Sequence, residues 1–297
     1  MNPVTPESDL AARAEIARLD ALSTHHDVVH EGVRVRWRRF GGSDSGSGNA
    51  QSPLVLLHGG HGSWLHWARN IEALCATRTL WLPDMPGFLD SDVPPRPAEG
   101  DDPLGPLLAA LGGTLDALIG AGTPIDLGGF SFGGLVAARF AVQRGNVRRL
   151  ALLGSGGHGT LRRLTVEMIN WRAAGSRAEE IAALRHNLAA LMLHDPTALD
   201  ALAFEIHDIS CHGTRFRSKD VSLAGGLQQA LDALDLRGVP QLLLWGAYDV
   251  TGDPQPLVAE LTAGHPLRQG AVIEDGGHWV QYERATQTHA RLLDFLA

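Results

Sequence analysis

Several features of membrane, secreted and nucleic-acid-binding proteins are missing from this sequence. No uninterrupted apolar segment reaches the length of a membrane span, and the acidic N-terminal region does not resemble a secretory signal. The formal net charge of −8 provides no excess of basic groups for nucleic acids or anionic membranes to bind. We therefore expect a cytoplasmic protein whose partner is a small molecule, with no nucleic acid and no membrane as partner. The oligomeric state stays open, and a homo-oligomer is allowed.

Cysteine is also scarce. Cys75 and Cys211 lie far apart and form no CxxC pair, so neither a disulfide framework nor a cysteine zinc site is expected. His58 and His61 have no carboxylate or cysteine at ligand spacing, so we expect no metal, and no cofactor is called for. The one dense basic run, residues 34–40, alternates with apolar residues and predicts the solvent face of a strand.

Short apolar strands alternate with helical segments through much of the chain. A helix is predicted over residues 6–22, one or two strands over 28–37, and a polar loop over 41–53. Further strands are predicted at 54–57, 79–82, 124–127, 150–154, 240–246 and 271–274, with helices at 67–75, 107–119, 135–143 and 285–295. This alternation predicts an α/β fold with a mostly parallel central sheet flanked by helices.

The alternation stops near residue 156. Residues 164–174, 178–193 and 197–210 have helical spacing, with no strand between them. The pattern predicts an inserted helical lid over residues 156–236, with the core formed by residues 1–155 and 237–297.

The stretch GGFSFGGLVA, residues 128–137, places Ser131 between a predicted strand and a predicted helix. Gly129 and Gly133 complete the pattern G-x-S-x-G, in which the positions two before and two after the serine must be nearly free of side chains. Ligands of parallel sheets bind beyond the carboxyl ends of the strands, where this turn projects the serine oxygen. Ser131 is therefore the predicted nucleophile.

A serine nucleophile needs a base, and the base needs an orienting acid. His278 lies between the last predicted strand and the last predicted helix, at the same sheet edge as Ser131. Asp249 follows the strand 240–246 at that edge and is the predicted acid. Asp253 is its rival, although its place before a proline favours a turn residue.

The loop LLHGGHGSW, residues 56–64, follows the first strand of the alternation. Its glycines let the backbone come close to a bound carbonyl group. We expect the amides of Gly60 and Phe132 to form an oxyanion hole.

Five segments occur in an order that resembles the α/β-hydrolase-fold serine hydrolases. They are LHGG, DMPG with Asp90 and Ser91 behind it, GGFSFGG, WGAYD and GGHWVQYE. GHWVQYE and HGG are especially similar to the meta-cleavage-product hydrolases, which cut a carbon–carbon bond in vinylogous 1,5-diketones from aromatic degradation. The resemblance implies an α/β-hydrolase fold and a catalytic triad of Ser131, Asp249 and His278. One departure is Leu89, which stands where the family usually carries glycine.

The resemblance also implies a substrate pocket beneath the lid. The predicted pocket residues are Gly59, Trp64, Phe130, His207, Arg215 and Trp279. In this family a lid arginine holds the substrate carboxylate, but the third predicted lid helix contains no arginine. His207 stands near that place, and Arg215 and Arg217 in the following segment are alternatives for the role.

Three functions stay open on this basis. The first is a carbon–carbon bond hydrolase acting on ring-fission products, and the second is a carboxylesterase or lactonase with the same triad. The third is a receptor-like binding module that keeps the fold and catalyses little; the intact serine, aspartate, histidine and HGG segment argue against it.

Overall fold

A computed structural model describes residues 6–42 and 51–297, so part of the predicted polar loop 41–53 lies outside the described residues. The strands are β1 (Thr24–His30), β2 (Val33–Phe40), β3 (Leu54–Leu57), β4 (Leu80–Pro83), β5 (Ile125–Phe130), β6 (Val147–Leu153), β7 (Gln241–Gly246) and β8 (Arg268–Ile273). The helices are α1 (Pro6–Ala21), α2 (Ile71–Cys75), α3 (Gly105–Ile119), α4 (Phe132–Arg144), α5 (Arg177–Leu191), α6 (Ala201–Gly213), α7 (Ser218–Leu223), α8 (Leu227–Asp235), α9 (Pro254–Thr262), α10 (Val280–Glu283) and α11 (Ala285–Leu296). Short 3₁₀ turns occur at Trp64–Trp67, Trp171–Ala173 and Pro196–Ala198.

Within the described residues, eight strands form one sheet in the order β1-β2-β4-β3-β5-β6-β7-β8. The pairs β1–β2 and β2–β4 are antiparallel, and every other neighbouring pair is parallel. The side chains of β3 alternate between two apolar clusters: Leu54 and Leu56 face one, Val55 and Leu57 the other. Burial on both faces explains why β3 reads as a continuous apolar run. The predicted α/β fold with a mostly parallel sheet is confirmed.

Helices cover both faces of the sheet. Helices α3, α4, α8 and α9 contribute to the apolar cluster on one face, and α1, α2, α5, α6 and α11 contribute to the cluster on the other. None of the helices in the described ranges combines the length and apolar character that crossing a membrane requires.

Residues 154–240, between β6 and β7, form a segment that we call the insertion. Its helices α5 and α6 begin where Ser176 and Asp200 accept hydrogen bonds from backbone amides in the first helical turns. Both correspond to predicted helices, whereas α7 and α8 were not predicted, nor was α9 after β7. The assignment of residues 156–236 to a separate lid, between core segments 1–155 and 237–297, stays a prediction.

The helix predicted over residues 164–174 is wrong. This part of the insertion has no α-helix and only the 3₁₀ turn Trp171–Ala173. The side-chain amide of Asn187 donates to the carbonyl oxygen of Ile169 and accepts from its backbone N–H, both at 2.8 Å. A helix would need those two backbone groups for its own hydrogen bonds, so the asparagine favours an irregular path. The helix predicted over residues 67–75 is likewise divided, into the turn Trp64–Trp67 and α2.

The basic run in β2 only partly faces solvent. Arg34 and Arg36 form ion pairs with Asp27 at 3.0 and 2.7 Å on the partly exposed face. Arg38 is only 4% exposed, so the prediction of a solvent face is wrong at this residue. The reason is that Trp37 and Arg38 are both buried, which interrupts the alternation along the strand.

Arg38 is the centre of a buried ion network. Its guanidinium contacts Asp20 at 2.7 Å, Asp84 at 2.8 Å and Asp90 at 2.9 Å. Burial raises the pKa of Asp84 to about 6 against the opposing influence of Arg38. Asp84 also accepts a hydrogen bond from the amide of Trp64 at 3.1 Å. The network therefore ties α1 and the segment after β4 to the loop that follows β3.

Replacing Arg38 with methionine should strongly destabilise the protein, because it leaves the buried Asp84 carboxylate without its cation. We expect the free energy of unfolding to fall by about 3–5 kcal/mol. Arg36→Met is the matched control, because it removes a partly exposed ion pair and should cost less than about 1 kcal/mol. Urea denaturation measures both values, and equal losses for the two variants would contradict the proposed importance of the network.

Candidate active site

Ser131 occupies a sharp turn between β5 and α4, with a positive backbone φ of 55°. A Cβ atom at Gly129 would lie 2.2 Å from the carbonyl oxygen of Gly133, and one at Gly133 would lie 2.2 Å from that of His58. Neither position can therefore hold a side chain without displacing backbone. This packing explains the pattern G-x-S-x-G and directs the serine oxygen beyond the end of β5.

The structure brings together Ser131, His278 and Asp249 at one sheet edge. The Oγ atom of Ser131 lies 2.9 Å from Nε2 of His278, whose Nδ1 lies 2.8 Å from Oδ2 of Asp249. The three residues follow β5, β8 and β7 respectively. Parallel strands end at the same edge, so residues distant in sequence meet there. The arrangement can transfer a proton from the serine hydroxyl to the imidazole.

The Asp249 side chain is buried, and its carboxylate accepts several hydrogen bonds. Its Oδ1 accepts from the backbone N–H of Thr251 at 2.8 Å and from the Thr251 hydroxyl at 2.7 Å. Burial alone would raise the pKa of Asp249, but His278 and these hydrogen bonds outweigh it and hold the pKa below its ordinary value. Thr251 was not predicted; its signal is the short D-x-T sequence, in which an aspartate bonds the backbone two residues on.

The rival acid Asp253 has another place in the structure. It immediately precedes α9 and pairs with Arg163 at 2.9 Å on the exposed surface. Its position agrees with the expected turn residue.

The predicted oxyanion donors lie beside Ser131. Gly60 and Phe132 both line the cavity that contains the serine. Within the described residues, neither backbone amide donates to a protein acceptor, so both N–H groups are available to a ligand. The amide of Gly59, by contrast, donates to Nδ1 of His66 at 3.1 Å.

A cavity of about 270 Å³ lies between the insertion and the ends of the strands. Ser131 and His278 lie on its wall. Its remaining walls include apolar residues of the insertion, which are Met168, Ile169, Trp171, Leu191 and Met192. A smaller compartment of about 30 Å³ shares Ser131 and His278 with it, and is large enough to hold a water molecule.

The aromatic pocket prediction needs correction. Phe130 lines the cavity, but Gly59, Trp64 and Trp279 are not among its lining residues. The indole N–H of Trp279 donates to the carbonyl oxygen of His66 at 2.9 Å, and its ring stacks on Tyr282. The Trp64 ring lies beneath the Arg38 guanidinium, 4.6 Å from it. Both tryptophans therefore support the loops behind the cavity.

The predicted carboxylate-binding residues also need correction. Arg215 does not line the cavity, because its guanidinium donates to the carbonyl oxygens of Leu89, at 3.0 Å, and Ser91. Arg217 precedes α7 and is likewise absent from the cavity wall. His207 does line it, but burial lowers its pKa to about 4, so its imidazole is neutral near pH 7.

Three cations that the sequence analysis missed line the cavity instead: Arg162, Arg172 and Lys219, the one lysine of the chain. Arg172 lies over the ring of Trp171. Arg162 has no hydrogen bond or ion pair in the described part of the chain, and it borders the small compartment as well. Burial lowers its pKa, but a guanidinium stays charged in proteins. The sequence feature that could have indicated Arg162 is the adjacent pair Arg162 and Arg163, which follows a glycine-rich segment after β6.

Comparison with known proteins gives a family match. A family model described as "Alpha/beta hydrolase family" matches residues 54–291. A dihydrolipoyllysine-residue acetyltransferase component of an acetoin cleaving system from Pseudomonas putida is 30% identical over 285 residues, which cover 89% of this chain and 67% of that protein. A 2-hydroxymuconate semialdehyde hydrolase from Pseudomonas sp. (strain CF600) is 28% identical over 282 residues, which cover 91% and 93%.

Solved structures agree on the fold. The crystal structure of an esterase from Rhodococcus sp. ECU1013 matches with a TM-score of 0.71 and 23% identity, covering 93% of this chain and 98% of that one. At this level of identity the likeness concerns the arrangement of the chain alone.

Gly129→Ala and Gly133→Ala should each disrupt the serine turn, because the added methyl group would lie 2.2 Å from a backbone oxygen. We expect each to lower the free energy of unfolding by about 3 kcal/mol or more. Gly122→Ala is the control, because a Cβ atom there meets nothing within 4 Å. Thermal unfolding should rank the variants in this order, and a destabilisation at Gly122 as large as at Gly129 would be evidence against the packing argument.

Proposed function

Because the chain belongs to the alpha/beta hydrolase family, we propose that it is a serine hydrolase acting on a small, partly apolar carbonyl substrate. Ser131 is the nucleophile, His278 the general base and Asp249 the acid that orients it. The observation that carries the proposal is the hydrogen-bonded chain from Ser131 through His278 to Asp249 at the wall of a cavity. Similarity to a 2-hydroxymuconate semialdehyde hydrolase favours ring-fission products, and hence a carbon–carbon bond, as the target.

In the first half of the reaction, Ser131 attacks the substrate carbonyl. His278 takes the hydroxyl proton at Nε2 while the serine oxygen bonds to the carbonyl carbon, and the carbonyl electron pair moves to oxygen. The amides of Gly60 and Phe132 donate to this oxyanion. When the carbonyl re-forms, the bond to the leaving group breaks and the leaving group takes the proton from His278, which leaves an acyl-enzyme.

In the second half, water replaces the leaving group. His278 removes a proton from water, the hydroxide oxygen attacks the acyl carbon, and the proton returns to the oxygen of Ser131 as the acid departs. The compartment of about 30 Å³ beside Ser131 and His278 could hold that water. This step requires no group beyond the triad and the oxyanion donors.

A carbon–carbon substrate adds two requirements. The departing carbon must accept the proton from His278, so the substrate must first ketonise, a step that His278 could also assist. The carboxylate of a ring-fission product also needs a cation. Arg162 fits this role because it lines the cavity and no carboxylate of the described residues pairs with it.

A carboxylesterase or lactonase is the second candidate. The observation that favours it is the place of Arg215, the cation first expected to hold a carboxylate, which bonds to carbonyl oxygens outside the cavity. An ester would need only the triad, the oxyanion donors and the apolar walls.

Ser131→Ala and His278→Ala should each reduce turnover by about three orders of magnitude or more, since each removes a partner in the proton transfer. A fluorophosphonate probe should label the wild-type protein at Ser131, as mass spectrometry of the peptides would reveal. Ser52→Ala, a change of a half-buried serine that does not line the cavity, is the control and should keep full activity. Wild-type activity in both triad variants would overturn the assignment, and absence of labelling at Ser131 would favour a binding module.

Arg162→Gln should selectively impair substrates with a carboxylate. We expect kcat/KM for 2-hydroxymuconate semialdehyde to fall about tenfold to a hundredfold, the effect of losing a hydrogen bond to a charged group, with a much smaller effect on p-nitrophenyl butanoate. Arg163→Gln is the matched control, because the neighbouring arginine pairs with Asp253 on the surface. If both substrates lose activity equally, Arg162 does not bind the carboxylate. Dominant wild-type activity on the butanoate ester would favour the carboxylesterase.

A further inference from the structure

The loop after β3 and the turn that follows it contain three histidines with different surroundings. His58 is buried, with Nδ1 donating to the carbonyl oxygen of Gly59 at 2.9 Å and Nε2 accepting from the amide of Met85 at 3.0 Å. His66 is also buried and accepts from the amide of Gly59. His61 has no hydrogen bond or ion pair in the described residues, and it lines the cavity. Two of these histidines are therefore structural, whereas the described part of the chain gives the third no polar partner.

The backbone of His61 adds a second observation. Its φ of 51° lies in the left-handed region, which residues other than glycine adopt uncommonly, although asparagine, aspartate and histidine adopt it more often than the rest. The flanking glycines are closely packed, since a Cβ atom at Gly60 would meet the Ser218 side chain at 2.4 Å and one at Gly62 would meet the His66 ring at 2.3 Å. A left-handed backbone at a cavity-lining residue that has no hydrogen bond or ion pair among the described residues points to a function for the side chain.

The groups around His61 define its chemistry. Gly60, whose amide is the proposed oxyanion donor, immediately precedes it, and His207 of α6 lines the same cavity. Burial, together with the charges of Arg172 and Arg162, holds the pKa of His61 below its ordinary value. The neutral imidazole then offers one hydrogen-bond donor and one acceptor, and neither is used by another group in residues 6–42 or 51–297.

We propose that His61 binds a second oxygen atom of the substrate, separate from the carbonyl oxygen that Gly60 and Phe132 hold. The inference rests on the proposed function, because it takes Ser131 and the oxyanion donors as the place of the scissile carbonyl. His61 is thus a specificity-determining residue. It favours compounds with two oxygen functions, such as diketones or hydroxy-ketones, over otherwise equal compounds with one.

Two stable ketones of equal chain length test this selectivity without turnover. Heptane-2,6-dione and heptan-2-one differ by one carbonyl oxygen, and ligand-observed NMR measures the Kd of each. The wild-type protein should bind the dione about fivefold more tightly, the effect of one added hydrogen bond. His61→Gly, which keeps the left-handed backbone, should abolish that ratio. His61→Asn, which also tolerates this backbone and supplies an amide donor, should restore part of it.

Glu31→Gly is the matched control, because Glu31 is an exposed residue with a positive φ of 48° in the turn between β1 and β2. It should leave the ratio unchanged, and both glycine variants should keep or raise Tm. The proposal is overturned if the wild-type protein does not prefer the dione, or if His61→Gly retains the preference. Fluorophosphonate labelling of Ser131 in the same preparations reports on the proposed function separately, since it does not depend on the second oxygen.

Discussion

The close backbone contact at the serine turn is the constraint on which the rest of the site depends. The backbone of Gly129 packs against that of Gly133, and the backbone of Gly133 packs against the carbonyl group of His58. The strand β5, helix α4 and the loop after β3 therefore lie too close together for a side chain at either glycine. The same packing brings Gly59 and Gly60 against Ser131 and Phe132. Under the proposed function, the nucleophile and its oxyanion donors are therefore positioned by one packing arrangement.

A second arrangement holds the base and the insertion together. The Glu283 carboxylate accepts hydrogen bonds from the amides of Gly277, at 2.5 Å, His194, at 2.8 Å, and Asp195. The amide of Trp279 donates to the carbonyl oxygen of Met192 at 2.7 Å. Trp279 is thus bonded directly to the insertion, and Gly277 is linked to it through Glu283. The shape of the cavity and the position of the imidazole are consequently coupled, although they arise from segments far apart in sequence.

The strands could be predicted from sequence, and the walls of the cavity could not. The strands follow from local apolar patterns. Ser131, Asp249 and His278 follow from their places after strands, together with the rule that parallel strands end at one edge of the sheet. The cavity walls do not follow, because a tryptophan such as Trp279 is equally suited to a pocket and to a core, and its hydrogen bond to His66 decides between them. The irregular segment before α5 was missed because one side chain, that of Asn187, competes with the helix for backbone groups.

Neighbouring residues of one type can be told apart by their unused hydrogen-bonding capacity. Arg163 pairs with Asp253, whereas the adjacent Arg162 lines the cavity and has no ion pair within the described ranges; His58 uses both ring nitrogens, whereas those of His61 have no hydrogen-bond partner there. Arg162 and His61 are both half-buried, so their donors and acceptors are open to a bound ligand. The cavity is lined by these groups as well as by apolar residues, so under the proposed function it would suit a molecule with an apolar body and more than one oxygen. A substrate without a second oxygen would leave part of that hydrogen-bonding capacity unused, which is how the same cavity would discriminate between the two.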